Sequence, residues 1–149
     1  MNNDSYRNSH LSKGSDYDSD LDLGNFDAYM VTHESKILAK TVQSLFPNKV
    51  PRYLDFACGT GRILSTVAQY AEASFGIDVS ESMVSEAKQK SANTEFFITD
   101  LTSSQAPVAD IDLITAFRFF GNAEQELRQS VLKALSGICL LYTSPSPRD

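Results

Sequence analysis

One short segment constrains this chain more than any other: an apolar run, a glycine-bearing turn and a helical pattern follow one another without interruption. The segment is Leu54-Asp55-Phe56-Ala57-Cys58-Gly59-Thr60-Gly61-Arg62. Tyr53 to Phe56 reads as a strand. Beyond the turn, Ile63, Leu64, Val67, Ala68 and Ala71 recur at helical spacing and share one face. Gly59 and Gly61 have no Cβ, so their backbone can approach a ligand closely. The helix N-terminus after them presents N–H groups that no preceding turn satisfies. Asp55 adds a carboxylate at the end of the strand. A pyrophosphate is repelled there, whereas a ligand bearing an ammonium group is attracted.

The same order then repeats. Ser74 to Asp78 reads as a strand, and Ser80 caps a helix carrying Met83, Val84 and Ala87. Thr94 to Thr99 is a strand rich in aromatic and β-branched residues. Asp110 to Phe117 is a further strand, and Asn122 caps a helix with Leu127, Val131 and Leu135 on its apolar face. Upstream, Thr32 to Phe46 reads as a helix. Thr32 caps it, Ile37, Leu38, Val42 and Leu45 form its apolar face, and Pro47 ends it. Alternating strands and helices predict an α/β chain, a Rossmann-like three-layer αβα sandwich with a mostly parallel sheet and right-handed crossovers. In such sheets ligands bind outside the carboxyl ends of the strands. Three successive strands end in acids there: Asp55, Asp78 and Asp100. Asp78 follows Gly59 by close to the roughly 20 residues that separate a glycine turn from a ribose-binding acid.

On these residues the chain resembles the class I, Rossmann-like, S-adenosylmethionine-dependent methyltransferases, in their broad small-molecule branch, over about Phe26 to Ile138. Asp55 to Gly61 is similar to the family's glycine-rich first motif, with Ala57 in place of the first glycine. Alanine fits there provided that φ stays below zero. The resemblance implies that Asp55 and the backbone of Ala57 and Gly59 hold the amino-acid end of S-adenosyl-L-methionine, with Cys58 and Gly61 also among the cofactor-binding residues. It implies that Asp78 binds the ribose, that Val79 and Met83 flank the adenosine, and that Asp100 and Leu101 hold the adenine. Asp112 to Phe117 resembles the fourth-strand motif that lines the methyl-donor site, which brings in Phe117. The implied function is methyl transfer to a small-molecule acceptor, with the activity belonging to the intact parent protein.

Plainer roles stand beside these. Asp78 can cap the helix that begins near Ser80, and Asp100 can start an Asx turn. Asp112 reads as the start of a strand or a loop cap, and Phe117, Phe119 and Phe120 as core or pocket wall. Cys58 reads as a small, unreactive residue in a tight loop, since nothing cationic beside it lowers its pKa. Arg118 reads as a surface residue, although a cation at a pocket mouth suits an acidic substrate. Methyl transfer from a sulfonium is an in-line displacement that needs chiefly alignment, and no His, Asp or Glu stands out as a general base. His33 reads as a surface histidine, and neither Tyr17 nor Tyr29 is assigned a covering role. Two alternatives remain open. Gly59, Gly61 and Asp78 also suit an NAD(P)-binding oxidoreductase, although Leu64 occupies the third glycine position and Asp55 disfavours a pyrophosphate. The other is a non-catalytic cofactor-binding module.

Composition narrows the field further. A net charge of −6 and a pI near 4.8 argue against a broad face for nucleic acid. No apolar stretch is long enough to span a membrane, and no apolar signal core opens the chain, so a cytoplasmic location is expected. The two cysteines and two histidines lack metal-ligand spacing. Residues 1–24 are polar, with Asp16, Asp18, Asp20 and Asp22 alternating, and are expected to form a disordered arm. The methyltransferase domain is expected over 25–140 as a partial domain, with strands 1–4 and at most the start of strand 5. Residues 141–149, with Pro145 and Pro147, resemble translated adapter sequence and are expected to be a non-native tail. A chain ending there exposes a sheet edge and is expected to fold poorly alone.

Overall fold

A computed structural model describes residues 25–139. The expected arm and tail, and Tyr17, lie outside the described residues. The elements in chain order are α1 (Asn25–Leu45), β1 (Val50–Phe56), α2 (Arg62–Ala68), β2 (Ala71–Asp78), α3 (Glu81–Lys90), β3 (Thr94–Ile98), β4 (Leu113–Thr115) and α4 (Gln125–Ser136). The four strands form one sheet in the order β3-β2-β1-β4, and every pairing is parallel. This is the Rossmann-like α/β arrangement expected from the alternating pattern. After α4 the chain returns to the sheet. Ile111 and Cys139 form a parallel bridge, and the Ile111 N–H donates to the Ile138 carbonyl at 2.8 Å.

Both faces of β1 and β2 are covered over their later residues, so Tyr53 to Phe56 and Ser74 to Ile77 are buried whichever way they point. Leu54, Phe56, Phe75 and Ile77 point to one face and pack with Val131 and Leu135 of α4. Tyr53 and Val50 point to the other and pack with Val42 of α1 and Leu64 and Val67 of α2. Ser80 caps α3 as expected, accepting the Met83 N–H at 3.4 Å, and Met83, Val84 and Ala87 are buried.

Several boundaries differ from expectation. α1 begins at Asn25, so Thr32 lies inside the helix rather than at its start; no glycine or proline between Asn25 and Phe46 interrupts it. Its buried stripe is Leu38, Val42 and Phe46, at spacings of one turn, while Ile37 and Leu45 are exposed. Ala71 opens β2 instead of extending α2, because Tyr70 closes a turn on Val67 and its carbonyl pairs with Val50. The fourth strand spans only Leu113–Thr115, bracketed by left-handed backbone at Asp110 and Arg118. Asn122 does not cap α4. Its side-chain amide donates to the Arg118 carbonyl at 2.6 Å, and Glu124 occupies the cap position without a side-chain cap bond to the helix.

Gly61 fixes how α2 meets α3. Its φ is +79°, and a Cβ there would lie 2.9 Å from the Ala87 Cβ and 3.1 Å from the Ala87 Cα. Gly59 has φ +53° but open space within 4 Å of a built Cβ. Alanine at either site carries the left-handed penalty of about 1–2 kcal/mol. Gly61→Ala adds overpacking worth about 1–3 kcal/mol. Limited proteolysis, which reads the population of open chain, is therefore expected to accelerate at least about fivefold more for Gly61→Ala than for Gly59→Ala. Equal acceleration would show that the α2–α3 approach is not tight.

Candidate functional site

The site begins with the register of the sheet. Asp55 pairs with Gly76 on one side and Thr115 on the other, so the ends of β1, β2 and β4 lie together. Asp55 is only 2% exposed. Its Oδ1 accepts the Thr115 hydroxyl at 2.6 Å, and the carboxylate also accepts the Leu64 N–H in the first turn of α2. Thr115 has one proton to give, so the Tyr53 hydroxyl, 2.7 Å from Thr115 Oγ1, donates in turn. α2 starts from Gly61 without a side-chain cap of its own. Asp55, reaching across from β1, satisfies part of that helix end.

Asp78 holds the glycine turn. Its Oδ2 accepts the Gly59 N–H at 2.8 Å, and its Oδ1 accepts the Ser80 N–H at 2.9 Å. One carboxylate therefore joins the end of β2, the turn after β1 and the start of α3. The turn is tied to β2 a second time by the Cys58 N–H, which donates to the Ile77 carbonyl at 3.0 Å. Asp100 Oδ1 accepts both the N–H and the hydroxyl of Thr102, at 2.9 and 2.7 Å, which makes the Asx turn.

These elements surround a cavity of about 310 Å³. Asp55, Ala57, Cys58, Gly59, Asp78, Val79, Met83, Asp100, Leu101 and Phe117 all line it. Gly61 does not. Gly61 serves the packing of α2 on α3, where a Cβ would meet Ala87. Ala57 departs from expectation, with φ at +54° rather than below zero. It sits where the family's first glycine sits, and an alanine there carries the left-handed penalty. Asp112 lies away from the cavity and accepts the Arg52 N–H at 3.0 Å, in keeping with a strand-start role. Phe119 is buried and lines the cavity with an edge contact to Phe56. His33 is exposed and stacks on Tyr29 at 5.8 Å, outside the cavity lining. Burial, with the nearby Asp55 and Asp78 charges, pushes the Cys58 thiol well up, which makes it a poor nucleophile.

Thr115, Arg62 and Glu34 emerge only from the fold. Thr115 lies 60 residues from the carboxylate it binds, and only the β1–β4 register brings them together. Arg62 lines the cavity and forms an ion pair with Glu34 of α1 at 3.0 Å. Arg118 lines it too, with its guanidinium 3.9 Å from the same Glu34 oxygen.

Burial raises the Asp55 carboxyl from its ordinary 3.8 to about 7; the Thr115 and Leu64 hydrogen bonds oppose that rise, Asp78 adds to it and Arg62 opposes it. An acid whose folded pKa is raised contributes stability below its unfolded value and loses it as the pH climbs through the folded value. Stability is therefore expected to fall between about pH 4 and pH 7, by a few kcal/mol. Asp55→Asn is expected to flatten that slope in chemical unfolding curves. An unchanged slope in the variant would show that another group titrates.

The sequence pattern of the methyltransferase domain family matches residues 54–139, more than half of the chain. No curated protein sequence matches it. Solved structures match it in fold. A TehB-like S-adenosylmethionine-dependent methyltransferase from Corynebacterium glutamicum is 23% identical, with 68% of this chain and 55% of that one covered and a TM-score of 0.61. Magnesium protoporphyrin IX methyltransferase from Synechocystis, with S-adenosylmethionine bound, is 20% identical over 90% of this chain and 70% of that one, at a TM-score of 0.71. The N-methyltransferase NodS from Bradyrhizobium japonicum, in complex with S-adenosylhomocysteine, is 18% identical over 88% and 64%, at 0.66. The chain thus spans little more than half the length of the first of these. The glycine turn, the acids ending β1, β2 and β3, and the start of the returning strand all fall within the matched span, and the chain belongs to the methyltransferase domain family.

Proposed function

We propose that the protein containing this chain transfers a methyl group from S-adenosyl-L-methionine to a small-molecule acceptor. The observation that carries this reading is one cavity lined by Asp55, Asp78 and Asp100 at the ends of three adjacent parallel strands. The cavity suits the cofactor in one further respect. Gly59 lines it, and a built Cβ there meets nothing within 4 Å, so the backbone borders open space. Among the similar solved structures, magnesium protoporphyrin IX methyltransferase and NodS carry S-adenosylmethionine or S-adenosylhomocysteine, and their names specify a porphyrin and a nitrogen methylation. That supports the cofactor class and a small-molecule acceptor.

In this reading Asp78 binds the ribose diol. Each of its oxygens accepts one backbone N–H and retains a second lone pair for a hydroxyl. Val79, Met83 and Leu101 are apolar walls for the adenosine, and Asp100 lies at the adenine edge. The Ala57, Cys58 and Gly59 backbone borders the amino-acid end, where the Asp55 carboxylate supplies negative potential. Phe117 stands at the acceptor side. The cofactor supplies an activated methyl on a sulfonium, whose departure leaves a neutral thioether. The chain's own residues then orient and desolvate rather than exchange protons.

NAD binding is the second reading, and two features count against it. A carboxylate at Asp55 disfavours a pyrophosphate, and Leu64 stands where a dinucleotide turn carries its third glycine. Isothermal titration separates the two. S-adenosylhomocysteine is expected to bind with micromolar affinity and NAD at least about 100-fold more weakly, a difference of about 2.7 kcal/mol. Equal affinities, or tighter NAD binding, would overturn the proposal.

A further inference from the structure

The cavity is divided by charge. Its acids lie at the ends of β1, β2 and β3, whereas its cations, Arg62 and Arg118, lie at the start of α2 and just after β4. Neither cation is placed to suit its own backbone. Arg62 opens α2, where the helix dipole disfavours positive charge and no acidic residue of the helix offsets it. Arg118 holds φ at +57°, a conformation that costs a non-glycine residue energy. The Asn122 amide, bonded to the Arg118 carbonyl at 2.6 Å, braces that turn. Strain kept at a pocket rim is a marker of a site.

Both guanidinium groups face one carboxylate oxygen, Glu34 Oε2 of α1. Arg62 bonds it at 3.0 Å, but Arg118 stops at 3.9 Å, beyond hydrogen-bond reach. Two cations thus share one anion, and the Arg118 side chain remains 39% exposed. Phe117, Phe119 and Asn122, close to Arg118 in the chain, line the cavity with it, and α4 adds Leu127 and Val131 to the wall. An apolar wall with one underused guanidinium suits a ligand with an apolar body and one anionic group.

We infer that the methyl acceptor carries a carboxylate, which Arg118 binds at the cavity mouth together with Arg62, displacing Glu34 from between them. This rests on the function proposed above and names the substrate class of the same site. Glu34 is an internal stand-in: a carboxylate of the chain already occupies the place that a ligand carboxylate would take.

Benzoate is a suitable probe, with benzamide as its uncharged counterpart. Titrations are run on the full 149-residue chain saturated with S-adenosylhomocysteine, so that the cofactor's own carboxylate is already in place. Failure of S-adenosylhomocysteine to bind would refute the proposed function and is read before the probe is added. Given that binding, benzoate is expected to bind at least about tenfold more tightly than benzamide. Glu34→Gln is expected to tighten benzoate about fivefold by removing the competing carboxylate. Arg118→Gln is expected to weaken benzoate at least about tenfold, with S-adenosylhomocysteine affinity held within about twofold. Arg118 is exposed, so this variant leaves the core intact. Three results would overturn the inference: equal affinities for benzoate and benzamide, no benzoate binding even by Glu34→Gln, or an Arg118→Gln variant that loses S-adenosylhomocysteine and not benzoate. The last would assign Arg118 to the cofactor's carboxylate instead.

Discussion

The buried carboxylate of Asp55 ties three parts of the fold to one point. It sits at the end of β1, accepts the hydroxyl of Thr115 from β4, and accepts a backbone N–H of α2. Burying an acid this completely is costly, and the pKa raised to about 7 expresses that cost. The hydrogen bonds from Thr115 and Leu64 offset part of it, and Tyr53 extends the chain of donors behind Thr115. Shift the β1–β4 register by one residue and the side chain opposite Asp55 would face the other side of the sheet. The strand ends, the turn and the helix start are therefore specified together.

Asp78 lines the same cavity but is held by backbone bonds on both oxygens. By accepting the Gly59 and Ser80 N–H groups it fixes the turn and the start of α3. A ligand reaching this carboxylate meets a group already oriented by backbone bonds on both oxygens, so little freedom is lost on binding. Asp100 is oriented in the same manner by Thr102. The capping and turn roles that the sequence offered for Asp78 and Asp100 are both present, and they leave each carboxylate on the cavity wall. Local hydrogen bonds preorganise the acids that face the cavity.

Much of this was legible in the sequence because it is local. The β1 turn, the Ser80 cap and the acids at strand ends follow from short-range patterns, and the alternation of elements gives the parallel sheet. What could not be read depends on contacts between distant segments. No local signal links Thr115 to Asp55 or Glu34 to Arg62. The buried stripe of α1 was misjudged because the helix meets the core along Leu38, Val42 and Phe46 only, leaving Ile37 and Leu45 outside. The packing demand on Gly61 was not legible, because a glycine needed for helix packing looks the same in sequence as one needed for a ligand. The two differ only in what lies opposite the missing Cβ, which here is Ala87. Ala57 shows the reverse case, a left-handed position occupied by a residue whose type conceals it.

If the ends of three adjacent strands hold a nucleoside cofactor through their carboxylates, a crystal of the chain grown with S-adenosylhomocysteine will show density filling the cavity, with both ribose hydroxyls within hydrogen-bond distance of the Asp78 carboxylate and the base between Val79 and Leu101. Ligand density outside the cavity, or a ribose turned away from Asp78, would contradict it.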